Sequence, residues 1–156
     1  MNNLIEHPFF GLVDLSTGLW EWERFPLGSR HLAISLWDAE RTDLETMQAF
    51  LENLNTKEKC CFEYLKTNQK SILGLAYSTW SETEAVMMND LFGCTNHDSI
   101  TPEMTWGAIE LRSIDLFHEQ QVSIRLDFEF TNVKCDYVVC FVFDADGEII
   151  SADLES

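Results

Sequence analysis

Val122-Ser123-Ile124-Arg125-Leu126-Asp127-Phe128-Glu129-Phe130 alternates apolar and polar side chains without a break. Successive side chains of an extended chain point to opposite faces. The stretch is therefore a strand with Val122, Ile124, Leu126, Phe128 and Phe130 on a core face and Ser123, Arg125, Asp127 and Glu129 on a wet one. Such a strand needs neighbours, and the flanking sequence provides them. Trp106 to Phe117 reads as one, with Ile109 and Leu111 on one phase and Ile114 and Leu116 on the other, which calls for a bulge near Arg112 and Ser113. Tyr137 to Phe143 is apolar at every position, as expected of a central strand covered on both faces. Asp146-Gly147 then turns the chain into a last strand from Glu148 to Ala152.

The first 40 or so residues show the same period. Phe9 to Asp14, Leu19 to Phe25 and His31 to Trp37 are separated by the turn sequences Ser16-Thr17-Gly18 and Pro26-Leu27-Gly28-Ser29, so a second meander is expected. Trp20 and Trp22 share one of its faces, and Glu21 and Glu23 share the other. From Thr42 the period changes to three and four. Leu44, Met47, Phe50, Leu51 and Leu54 make the apolar stripe of a helix, and Thr56 can cap a second helix carrying Cys60, Cys61, Tyr64 and Leu65. Ile72 to Tyr77 is apolar but fits helix or strand. Ser81 and Glu84 have capping-box spacing for a further short helix, which Gly93 would end in the left-handed conformation. Thr95 to Pro102 is a polar loop. With no repeat, low-complexity tract or Pro/Gly-rich linker, residues 1–156 are expected to form a single α+β domain. Its antiparallel sheet would combine about three N-terminal and four C-terminal strands, with the helices of the middle third packed on it.

Composition supports a folded chain. Of 156 residues, 46% are hydrophobic and 12% aromatic, enough for one core without disulfide or metal. Twenty-seven Asp and Glu against 10 Lys and Arg leave a net charge of −17. That charge repels phosphate backbones and anionic lipid, so nucleic acid and membrane are poor partners, and it draws in a basic protein. Cys60, Cys61, Cys94, Cys135 and Cys140 are odd in number and have no metal-type spacing, which points to a reducing compartment. The opening residues carry neither a basic nor a long apolar segment, and no apolar run is long enough for a membrane helix. A cytoplasmic protein is the expectation.

Catalytic signals are sparse. His7, His31, His97 and His118 form no close ligand pair with one another or with cysteine, and His97-Asp98 is the one adjacent acid-base pair. Asp144-Ala145-Asp146-Gly147-Glu148 gathers carboxylates in a turn. It lacks the third acidic position and distal Glu of a calcium loop, so an ordinary hairpin turn accounts for it. Cys60 and Cys61 cannot both face the core, and Lys57, Lys59 or Lys66 can supply a cation to the exposed one; small apolar filler is the simpler role. No GxSxG, GxGxxG or phosphate-cradling loop is present, and no cofactor is expected. Trp20, Trp22, Trp37, Trp80 and Trp106 can build an aromatic platform for a sugar or peptide, although strand packing explains three of them. Glu21, Glu23, Asp127 and Glu129, on the polar faces of strands, are the candidate acidic wall for a basic partner; a solvated sheet face is the alternative.

Ile100-Thr101-Pro102, Ile109 to Ile114, Asp136 to Val139, Phe143 to Ile149 and the closing Glu155-Ser156, with Phe9-Phe10-Gly11 and Leu19-Trp20-Glu21, resemble a family of small acidic bacterial proteins. Some members of that family stand among the immunity proteins of contact-dependent or polymorphic toxin systems. The resemblance covers the two strand-rich ends and implies no catalytic residues. The expected function is accordingly a non-enzymatic, immunity-type module that blocks a basic toxin such as a nuclease by occupying its cleft. A small-ligand or carbohydrate-binding domain using the tryptophans, or an enzyme whose site is assembled only by the fold, are the alternatives. The blocker needs a broad acidic patch, and the others need a concave site with convergent polar groups.

Overall fold

A computed structural model describes residues 4–79, 92–93, 100–131 and 136–155. The elements run β1 (Leu4–His7), β2 (Gly11–Asp14), β3 (Leu19–Leu27), β4 (Arg30–Trp37), α1 (Arg41–Glu52), α2 (Leu54–Thr79), α3 (Pro102–Gly107), β5 (Ile109–His118), β6 (Val122–Phe130), β7 (Val138–Asp144) and β8 (Ile149–Glu155). The α+β class is as expected, with helices between two strand-rich ends. The capping-box helix from Ser81 and the His97-Asp98 loop fall outside the described residues. Gly93, expected to be left-handed, has φ +68°.

The sheet differs from expectation in three respects. Its six strands are ordered β3-β4-β5-β6-β7-β8, and β4 pairs with β5 in parallel, so the sheet is mixed and not antiparallel throughout. The reason is topological: the helical middle third returns the chain to its starting side before β5 begins, and parallel neighbours require such a crossover. Secondly, β1 and β2 form a separate hairpin, with Ile5 opposite Val13. β7 is the penultimate strand and not the central one.

The helices cover one face. Ile34 and Leu36 of β4, Ile114 and Leu116 of β5, Ile124, Leu126 and Phe128 of β6, and Val139, Phe141 and Phe143 of β7 are buried there with Leu44, Met47, Phe50, Cys61 and Leu65 of the helices. Phe50 meets Phe143 edge-on at 5.1 Å, and Tyr64 meets Phe141 at 6.4 Å. Each buried aromatic of this kind is worth about 1.5–3 kcal/mol over its exposed state. The hairpin closes the end of the same layer. Phe10 stacks on Trp22, Phe9 packs on Phe25, and His7 donates from Nε2 to Glu45 of α1 while its Nδ1 accepts the Phe9 and Phe10 amides. Two incoming amides fix that tautomer.

Other local choices follow from the sequence. The apolar stretch from Ile72 continues α2 to Thr79. Leu54, expected in the first helix, begins the second because α1 ends at Asn53. Trp106 lies in α3 and not in the β5 strand: Thr101 accepts the Met104 amide and Pro102 opens the helix with its φ preset. The expected bulge falls between Leu111 and Ser113. No helix among the described residues is long and apolar enough to cross a membrane.

Candidate functional site: the open face of the sheet

Alternation that buries one face sends every second side chain to the other, and among the described residues no helix packs there. Cross-strand register lines the exposed side chains into rows. One row runs Glu21, Ser35, Asp115, Arg125, Val142 and Ser151 across all six strands. A second holds Leu19, Trp37, Phe117, Ser123 and Asp144, and a third Ser113, Asp127, Cys140 and Asp153. Glu110, Glu129, Val138 and Glu155 close the set.

Three of the four expected wall residues stand in these rows. Glu21 and Glu129 are exposed and Asp127 is half-buried. The fourth, Glu23, is exposed and lies at a bulge. The register of β3 shifts between Trp22 and Phe25, so Glu23 and Arg24 together stand opposite Ala33, and the alternation that set Glu23 beside Glu21 is interrupted.

Two side chains roof the face. Arg125 donates from Nε to Asp127 Oδ1 at 2.8 Å and from Nη2 to Glu155, reaching over Cys140 of the intervening strand. Burial, with Asp127 beside it, pushes the Cys140 thiol up, which leaves it an inert filler. Trp37 does the same for Ser35. Its indole Nε1 donates to Ser35 Oγ at 2.9 Å, and Ser35 in turn donates to Asp115. Ser35 is 6% exposed for that reason, while Trp37, stacked on Phe117 at 5.9 Å, remains 40% exposed. Burial holds the Asp115 carboxyl above its ordinary value, and Asp127 and Glu21 push the same way against the Ser35 hydrogen bond and Arg125. The face thus carries more carboxylates than cations: Glu21, Glu110, Asp115, Asp127, Glu129, Asp144, Asp153 and Glu155, with Glu23 and Arg24 together at the β3 bulge, against Arg125 and the bulged Arg112, which lies 4.0 Å from Glu129.

Asp115 and Arg125 were not singled out as site residues in the sequence, and Trp37 only as one of the tryptophans of a platform, yet a signal for Asp115 existed. A bulge at Arg112 switches the phase of β5 and puts Ser113, Asp115 and Phe117 together on the wet side. Among the described residues the tryptophans are not brought to one surface. Trp20 and Trp22 pack on the helix side, and Trp106 packs on Phe62 and Phe128. Trp80 lies outside the described residues. Trp37 alone among the described four is exposed.

A cleft of about 450 Å³ lies between α1, the start of α2 and the β7–β8 turn, with Glu45, Asn53, Lys57, Phe50, Asp144 and Asp146 on its walls. Several of its polar groups are already engaged. Lys57 donates to Gly147 O and sits over the Phe50 and Phe143 rings, and Glu45 accepts from His7. Asp144 Oδ1 accepts the Asp146 and Glu148 amides at 3.0 Å, which makes its segment a hairpin turn closed on itself. A His–carboxylate pair that sequence spacing could not show joins His118 Nδ1 to Asp43 Oδ2 at 2.6 Å. Asp43 also accepts the Glu40 amide, so the pair ties the end of β5 to the first turn of α1. Cys60 is exposed and Cys61 buried, with the Cys61 thiol pushed up by burial. Among the described residues no group of three His, Cys, Asp or Glu is placed to hold a metal.

Comparison with protein families, curated proteins and solved structures finds no match to this chain.

Proposed function

We propose that the chain is a non-enzymatic protein-binding module that receives a basic protein partner on the open face of its sheet, as an immunity protein receives a toxin. One observation carries this reading: a six-stranded face on which no helix packs among the described residues, on which carboxylates outnumber guanidinium groups and an exposed tryptophan supplies an apolar contact. Interface centres favour aromatic anchors, and complementary charge speeds encounter and excludes wrong partners. The engaged groups of the 450 Å³ cleft favour this face over a small-ligand site there.

The test is retention of a partner from native lysate by the wild type and by a variant carrying Glu21→Gln, Glu23→Gln, Asp127→Asn and Glu129→Gln. The expected result is one stoichiometric partner of high isoelectric point that the wild type holds at low salt and releases at high salt, and that the quadruple variant fails to hold. Equal retention by both proteins overturns the assignment of this face.

A further inference from the structure

The open face is not uniform. At its β3–β5 end the exposed indole of Trp37 stands between two carboxylate-bearing strands. Ser35, which the indole roofs, is the register partner of Glu21 on one side and of Asp115 on the other. Strand spacing puts each carboxylate's backbone roughly 5 Å from that of Ser35, within reach of a single planar cation lying on the indole. The ring is held for this: Phe117 stacks on it at an interplanar angle of 14°, and its N–H is committed to Ser35. A preformed aromatic surface loses little freedom when a ligand arrives.

We propose that Trp37, Glu21 and Asp115 form a seat for an arginine side chain of the basic partner, its guanidinium stacked on the indole and paired with the flanking carboxylates. The inference rests on the reading of the open face as the partner-binding surface. Guanidinium fits better than ammonium because it is planar, weakly hydrated and forked. It can lie on an aromatic ring while donating sideways to carboxylates, whereas lysine presents a compact, strongly hydrated charge. Asp115 adds an independent argument. Its carboxylate is half-buried, receives the Ser35 hydroxyl, and lies near the charges of Asp127 and Glu21. Ionisation there is disfavoured by burial and by like charge, and an incoming cation relieves both.

The experiment measures binding of deca-arginine and deca-lysine peptides to the full chain by calorimetry at fixed ionic strength, with thermal unfolding recorded for every variant. The wild type is expected to hold deca-arginine about tenfold more tightly than deca-lysine. Trp37→Ala should bring the two peptides to parity, and Trp37→Phe, which keeps a ring against Phe117, should leave a reduced preference. Asp115→Asn should weaken deca-arginine binding about fivefold without lowering the unfolding temperature, because it removes a charge that the fold disfavours. A structural role for Asp115 would instead lower that temperature. Glu63→Gln, on the exposed face of α2, should change neither peptide. Equal binding of both peptides, weakened by Glu129→Gln and indifferent to Trp37, overturns the arginine seat and leaves the acidic face standing. Binding that ignores Glu129, Trp37 and Asp115 alike overturns both.

Discussion

At the scale of single residues, much of this protein's acidity is put to use by its own backbone and few cations. Asp144 accepts two amides of its turn, Asp14 accepts the Ser16 amide, and Asp43 accepts the Glu40 amide together with His118. The His118 pair has a consequence in solution. The hydrogen bond that His118 Nδ1 donates to the Asp43 carboxylate raises the His118 pKa above its ordinary value of 6.5, against a smaller opposing effect of desolvation. A group whose pKa is raised on folding stabilises the fold fully below its unfolded value and loses that contribution as pH climbs through the folded value. Stability should therefore decline as pH rises from 6.5 through the raised pKa, and the decline should flatten in His118→Gln. Urea unfolding across that range checks this. An unchanged profile in the variant would show that the pair does not titrate as described.

Among the elements, the β7–β8 hairpin shows how a short sequence signal acquires tertiary weight. Asp146-Gly147 needs only local chemistry to turn, and Gly147 has φ +84° as such a turn requires. The fold adds a second constraint: a Cβ at Gly147 would run into Lys57 Nζ, which donates to the Gly147 carbonyl and packs over Phe50 and Phe143. Gly147→Ala should cost roughly 1–2 kcal/mol from its left-handed backbone alone, with more from displacing Lys57. Chemical denaturation measures it, and a loss below that range would mean the turn relaxes freely. Helix boundaries show the reverse relation. The apolar spacing of Leu44 to Leu51 was enough to place α1. The end of that helix at Asn53 is a local cap, its side chain donating to the Ala49 carbonyl, whereas the apolar run from Ile72 fits helix or strand by pattern and continues α2 in the fold.

For the whole molecule, a charge of −17 acts over distances longer than any single pair. If the open face meets a basic partner, the association rate should fall steeply with salt while dissociation changes less. The quadruple face variant should show both a slower association at low salt and a shallower salt dependence, by stopped-flow mixing with the partner once it is captured. A rate as fast and as salt-sensitive as that of the wild type would place the encounter on another surface.

The strand from Val122 to Phe130, the bulge after Leu111, the helical middle third and the α+β class were legible in the chain. Period two, period 3.6 and turn chemistry are local properties of a polypeptide, read from neighbours in sequence. The parallel pairing of β4 with β5 was not, nor was the pairing of β1 with β2 as a sheet of their own. The parallel pairing depends on which strands lie adjacent after some 70 intervening residues have crossed the sheet, and the separation of the β1–β2 hairpin depends on where the larger sheet begins. The candidate site divides in the same way. Glu21, Asp127 and Glu129 could be assigned to wet faces from alternation alone. Only the fold brought Asp115 beside Ser35, across from Glu21, and set Arg125 across to Glu155, because these contacts join strands distant in sequence.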